Sequence, residues 1–175
     1  MDSALLIAQV FGLLGVVFYL LSFQQKHRRG ILFVNIVSRV FYVLQYFLLG
    51  AFDGVAMDFL GLVSSVLAGL RLSPKKRHLA FCGINALMVA VGLLLYRNVF
   101  SLVAIAATIS ESAALWLHRE RLIRLLSLAS APLWLIYNLS NLAFGSALGN
   151  TLAMVSILIA MARFDRKKEE KKDLP

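Results

Sequence analysis

Seven apolar blocks of 17 to 22 residues run through the 175-residue chain, at roughly 4–23, 31–51, 54–70, 79–96, 99–117, 122–143 and 145–162. Blocks of this length with almost no charge suit the hydrocarbon thickness of a bilayer. Backbone polar groups in hydrocarbon must be satisfied within the segment, so each block is expected to be a helix. Composition points the same way, with 60% of residues hydrophobic and 15% charged; a soluble domain carries about a quarter charged. Mean hydropathy is +0.80. A soluble enzyme, a nucleic-acid-binding domain and a secreted disulfide scaffold are thereby excluded, and the first expected partner is the lipid bilayer.

The net charge of +9 would suggest nucleic acid in a soluble protein. Here its placement gives it another meaning, and no nucleic-acid partner is expected. Of the 18 Lys and Arg, 16 fall on one side of the spans, in the gaps 24–30, 71–78 and 118–124 and in the segment from Arg163 onward. The alternate gaps, Phe52-Asp53, Arg97-Asn98 and Phe144-Gly145, are short and nearly neutral. The positive-inside rule then predicts an N-terminus outside and a C-terminus inside. Met1-Asp2-Ser3 lacks the basic start of a cleaved signal peptide, so the first helix is expected to be retained. The lysine-rich tail reads as a stop-transfer anchor that continues the last helix. Cys82 is the single cysteine, so no internal disulfide forms. His27, His78 and His118 are scattered over loop edges; neither a metal site nor a cofactor is expected.

Sliding the chain by 92 residues lays 29–71 on 121–163 without a gap, with ten identities in 43 positions. The tight turns and the basic helix starts coincide as well. Span 1 maps onto span 5, span 2 onto span 6 and span 3 onto span 7, leaving span 4 as a linker. An odd three-helix unit needs one extra crossing to repeat in the same orientation, so the expected layout is 3+1+3 parallel repeats about an axis along the membrane normal. The expected units are 1–71, a linker helix in 72–98, 99–163 and a charged tail over 164–175.

Polar residues line one face of several spans. In span 2 these are Asn35, Ser38, Arg39, Tyr42, Gln45 and Tyr46; in span 6 they are Ser127, Ser130, Trp134, Tyr137, Asn138 and Asn141. Span 1 contributes Gln9, Gly12, Gly15, Tyr19 and Ser22. Small and polar residues serve helix packing, and Gly145 and Gly149 are read that way. Charges are different, because each costs about 3 kcal/mol at mid-membrane on insertion scales. Arg39 and Glu111 lie at similar depths, at about 1.5 Å of rise per residue, and are expected to form a buried pair. Asp58 lies nearer the outside and matches Asn150 at the 92-residue offset, not a cation. Tyr42 and Trp134 stand 16 positions before them. Tyr42, Asp58, Trp134 and Asn150 are therefore expected to bind a small polar solute.

Phe18-Tyr19-Leu20-Leu21-Ser22-Phe23-Gln24, Leu49-Gly50-Ala51-Phe52-Asp53-Gly54 and Ala131-Pro132-Leu133-Trp134-Leu135-Ile136-Tyr137-Asn138-Leu139 resemble the YgjV family of bacterial inner-membrane proteins. That family is distantly similar to the PQ-loop group, with its SWEET-type sugar facilitators. The resemblance implies a 3+1+3 bundle whose pocket holds an aromatic on the second helix and an Asn on the third helix of each repeat, here Tyr42, Asp58, Trp134 and Asn150. Two departures stand out. Phe23-Gln24 and Leu115-Trp116 replace the Pro-Gln pairs, and Asp58 stands where an Asn would be, which argues against transferring a sugar specificity and could favour a cation or proton coupling.

The expected function is an inner-membrane carrier. The alternative is a non-transporting scaffold or accessory subunit, whose polar faces would be collapsed against one another. An enzyme is not expected, since no nucleophile–base spacing, metal-ligand cluster or phosphate cradle appears. A homo-oligomer is compatible with the sequence, which does not fix the oligomeric state.

Overall fold

The computed structural model describes residues 3–165. They form α1 (Ser3–Phe23), α2 (Arg28–Leu48), α3 (Phe52–Gly69), α4 (Pro74–Leu94), α5 (Val99–Trp116), α6 (Glu120–Ser140) and α7 (Phe144–Ala160), the last extended by a wide helical turn over Met161–Asp165. All seven are long and apolar enough to cross a membrane. Six close into a ring in the order α1, α2, α3, α5, α6, α7, with α7 returning to α1. Helix α4 packs outside, against α3 and α5. Only 17% of its span is buried, the smallest share of the seven, which makes it a lipid-facing strut beside that seam.

Hydrophobicity is arranged inside out relative to a soluble bundle. Large apolar side chains such as Leu13, Phe33, Phe59, Leu94 and Ile159 face outward, while Asn35, Arg39, Asp58, Glu111 and Ser130 are buried within. Hydrocarbon solvates the first set and none of the second.

Helices α2, α4 and α6 begin several residues before the apolar blocks do, because basic residues form their first turns. The last carbonyls of a helix lack intrahelical donors, and arginines supply them here. Arg28 donates from Nε to the Leu117 carbonyl at 2.7 Å and from Nη2 to the Leu115 and Ala68 carbonyls at 2.8 and 2.9 Å. Arg124 Nη2 donates to the Gln25 carbonyl at 3.2 Å, and its Nη1 meets Asp165 Oδ1 at 2.6 Å. The bundle therefore extends to Asp165, one residue beyond the point where a charged tail was expected to begin; the lysine-rich residues 166–175 lie outside the described residues. Beside this cluster the Arg77 guanidinium, with burial and Arg28, holds His118 below its ordinary pKa.

At the opposite, neutral end two tight turns share one geometry. In the first, Gly50 N–H bonds the Phe47 carbonyl and Ala51 N–H the Tyr46 carbonyl. In the second, Leu142 N–H bonds Leu139 and Ala143 N–H bonds Asn138. Both are Schellman closures, which place one residue in the left-handed region. Gly50 holds it at φ 67° and Leu142 at φ 56°, exactly 92 residues on in sequence. The motif ends α2 and α6 earlier than the apolar blocks suggest. It also turns the chain straight into α3 and α7.

The Gly145–Gly149 pair packs α7 on α1. Gly145 N–H donates to Gln9 Oε1 at 3.1 Å, and a Cβ at Gly149 would overlap the Val16 side chain. Gly149→Ala is expected to cost about 1–3 kcal/mol, the usual penalty for overpacking a filled interface. Thermal unfolding of the purified chain in detergent measures it, with Gly83→Ala, where nothing lies within 4 Å, as the neutral control.

Candidate functional site

The polar face of α2 points into the helix ring, and Arg39 sits at its centre with 2% exposure. Its Nη1 donates to Asp58 Oδ1 of α3 at 2.6 Å. Its Nη2 lies 2.9 Å from Glu111 Oε2 of α5, an ion pair without hydrogen-bond alignment. Nε donates to Asn35 Oδ1, one turn back, at 3.1 Å. Asn35 Nδ2 in turn donates to Glu111 Oε1 at 3.3 Å, and Trp134 Nε1 of α6 donates to Oε2 at 3.1 Å. Gly61 makes room for the guanidinium, since a Cβ there would overlap Arg39 Nη1.

Arg39 and Glu111 thus meet, as their depths suggested, but Arg39 is not theirs alone. Asp58, expected to match Asn150 and not a cation, is held by the same guanidinium. Depth along the helix axes does not account for the reach of a guanidinium fork, which spans two carboxylates on neighbouring helices.

A cavity of about 20 Å³, room for about one water, lies against this triad. All four residues expected to bind solute line it: Tyr42, Asp58, Trp134 and Asn150. Their partners differ. Tyr42 packs over Gly15 and edge-on to Tyr19, with ring centroids 6.3 Å apart. Trp134 stacks on Tyr46 at 6.4 Å and 17°. Asn150 Nδ2 donates to the Ser146 carbonyl of its own helix at 3.0 Å.

Tyr19, Asn35, Tyr46 and Asn138, which lie on the polar stripes but outside the four expected solute-binding residues, line the same cavity. The 92-residue offset could have found three of them. Tyr19 matches Glu111, and Tyr46 matches Asn138, just as Tyr42 matches Trp134 and Asp58 matches Asn150. Tyr46 Oη donates to Asn138 Oδ1 at 2.5 Å, joining α2 and α6 across the helix ring.

Side-chain bonds join the helices on either side of the cavity, toward the neutral and the basic ends of the bundle. Toward the neutral end, Ser146 Oγ donates to Gln45 Oε1, and Tyr137 Oη and Ser101 Oγ donate to Asp53 at 3.0 and 2.8 Å. Asp53, placed by the sequence in a short gap between two spans, is buried at 4% exposure. Toward the basic end, Gln24 Nε2 donates to Ser156 Oγ at 2.9 Å and Trp116 Nε1 to Ser64 Oγ at 2.9 Å. These two bonds are counterparts at the 92-residue offset, one running from α1 to α7 and the other from α5 to α3. Gln24 and Trp116 are the residues that stand in the Pro-Gln positions. No group of three or more His, Cys, Asp or Glu suited to a metal occurs among the described residues.

Because Arg39 is shared, its loss leaves two buried carboxylates facing each other. Arg39→Gln is expected to be the most damaging change in the site, at about 3–5 kcal/mol. Glu111→Gln should cost less, because the Arg39–Asp58 pair survives. Adding Arg39→Gln to Glu111→Gln should worsen the protein rather than rescue it, since Asp58 is then left alone. Adding Asp58→Asn as well should recover part of the loss. Thermal unfolding in detergent across this series checks the ranking.

No curated protein and no solved structure matches the chain. The Imp-YgjV family, described as bacterial inner membrane protein, matches residues 6–168, nearly the whole chain and all seven helices. With the spans and the buried polar centre in place, the chain belongs to the Imp-YgjV family of bacterial inner membrane proteins.

Proposed function

We propose that this multi-pass inner-membrane protein is a carrier for a small polar solute. The solute binds near the midplane between α1–α3 and α5–α7, and rocking of these units exposes it to each side in turn. The observation that carries this reading is the cavity. Tyr42, Asp58, Trp134 and Asn150 ring a water-sized space instead of collapsing on one another, as packing alone would favour. In this reading the side-chain bonds between helices on either side of the cavity hold an occluded conformation. Solute access then requires one set to open, either Gln24–Ser156 with Trp116–Ser64 or Gln45–Ser146 with Tyr137–Asp53.

The two units act as parallel repeats in this proposal. The reciprocal Gln24–Ser156 and Trp116–Ser64 bonds, the matched turns at Gly50 and Leu142, and the Tyr46–Asn138 bond between matched positions support it. By the positive-inside rule the basic end faces the cytoplasm.

Uptake into proteoliposomes across a panel of sugars, polyols, amines and nucleosides tests the proposal. At least one solute is expected to enter faster than into protein-free vesicles. Trp134→Ala and Asn150→Ala should each lower that uptake by about tenfold or more, equivalent to roughly 1.4 kcal/mol, while the protein stays monodisperse. A panel in which no solute enters faster than into empty vesicles overturns the carrier.

A further inference from the structure

We propose that the buried Arg39–Asp58–Glu111 triad is a proton-binding site, with the proton carried on Asp58 Oδ2 toward the cavity. Two carboxylates share one guanidinium, so the cluster holds one negative charge in excess. All three residues are at most 4% exposed, inside helices bounded by hydrocarbon. An uncompensated carboxylate there is costly enough that it takes up a positive charge.

The two carboxylates are not equally provided for. Glu111 receives Asn35 Nδ2 on one oxygen and Trp134 Nε1 on the other, with Arg39 Nη2 beside the latter. Asp58 receives Arg39 on Oδ1 alone, and no hydrogen bond reaches its Oδ2 among the described residues. Donors converging on a carboxylate favour its charged form. The proton therefore goes to Asp58, the carboxylate with an oxygen that no donor reaches among the described residues, turning it into a carboxylic acid with one O–H to donate.

A second observation points to the same place. Tyr19, which lines the cavity, is 4% exposed, and its hydroxyl makes no hydrogen bond among the described residues. A phenolic oxygen accepts as well as donates, and the cavity that both residues line admits a single water through which Tyr19 can receive the Asp58 O–H. Tyr19 occupies the position 92 residues before Glu111, so the polar groups that match across the two halves face the site from opposite sides.

A metal cation of the same charge suits the site less well. Arg39 Nη1, 2.6 Å from Asp58 Oδ1, is a fixed positive charge that would repel it. A proton becomes part of an O–H on the other oxygen and leaves the Arg39 bond intact. The titratable and charged groups that surround Asp58 are Tyr19 from α1, Arg39, Tyr42 and Tyr46 from α2, and Glu111 from α5. From α6 comes Tyr137, engaged with Asp53. From α7 comes the neutral Asn150, while α4 meets α3 through Gly92, set against Met57. The proton site stands on this geometry; that the proton is the carrier's coupling ion rests on the function proposed above.

Infrared difference spectra of the full chain in lipid vesicles, taken on a pH step, read the protonated carboxyl directly. The wild-type chain should show a carboxylic-acid C=O band near neutral pH that shifts down when aspartate carries carbon-13 in its side-chain carboxyl, and not when glutamate does. The labelled protein keeps its native sequence, so misfolding cannot mimic the result. Glu111→Gln should abolish the band, because the remaining Arg39–Asp58 pair is already neutral. Replacing choline by sodium should leave the wild-type band unchanged. A wild-type chain with no such band, a band that follows the glutamate label, one that persists in Glu111→Gln, or one that sodium removes each overturns the proposal. Solute uptake without the band refutes the proton site and leaves the carrier standing; the band in a chain that moves no solute does the reverse.

Discussion

One guanidinium shared by two carboxylates on neighbouring helices constrains the rest of this bundle. In hydrocarbon neither Asp58 nor Glu111 has an alternative partner in water, so α3 and α5 must both stand within reach of Arg39 on α2. That requirement fixes the rotation of three helices at once. It also explains the small residue at position 61, where any side chain would occupy the space of the guanidinium. Asn35 and Trp134 complete the network, each orienting a carboxylate oxygen that the arginine does not fully serve. Such a network ties α2, α3, α5 and α6 together by polar bonds, where apolar side chains alone would let the helices slide against similarly apolar lipid.

Around that centre, several positions 92 residues apart make matching bonds, while at others the chemistry differs. The turns at Gly50 and Leu142 close in the same way. The bonds from Gln24 to Ser156 and from Trp116 to Ser64 exchange places between the two halves. At the cavity, however, Tyr19 answers Glu111, Asn150 answers Asp58, and Ala131 answers Arg39. Backbone closure tolerates many side chains, so it is kept. Charge is too costly to duplicate in a membrane, so one half holds Arg39 and Asp58 and the other supplies Glu111. That difference gives the bundle a distinctive site.

Much of this is legible in the sequence. Block length predicted the number of helices, because hydrocarbon thickness sets a minimum span. Burial cost singled out Arg39, Asp58 and Glu111, because few charges survive mid-membrane without a partner. The polar stripe from Asn35 to Tyr46 identified the inward face of α2. Helix ends were less legible. Arg28 and Arg124 look like loop charges in sequence, yet they lie in helices and cap carbonyls of segments 40 to 99 residues away. Asp53 looks like a turn residue, yet Ser101 and Tyr137 bury it.

The sequence by itself determined that seven helices lie in a membrane, which faces are polar, and which charges must be buried. These follow from one-dimensional quantities: the length of an apolar run, the helical period and the cost of a charge. Only the tertiary structure decided who bonds to whom. The order of helices in the ring brings α3 and α5 together with α4 outside, and it places Asp58 on Arg39 instead of opposite Asn150. It also leaves the Tyr19 hydroxyl without a partner at the cavity. Pairing depends on distances between segments far apart in the chain, and helical periodicity carries no information about those distances.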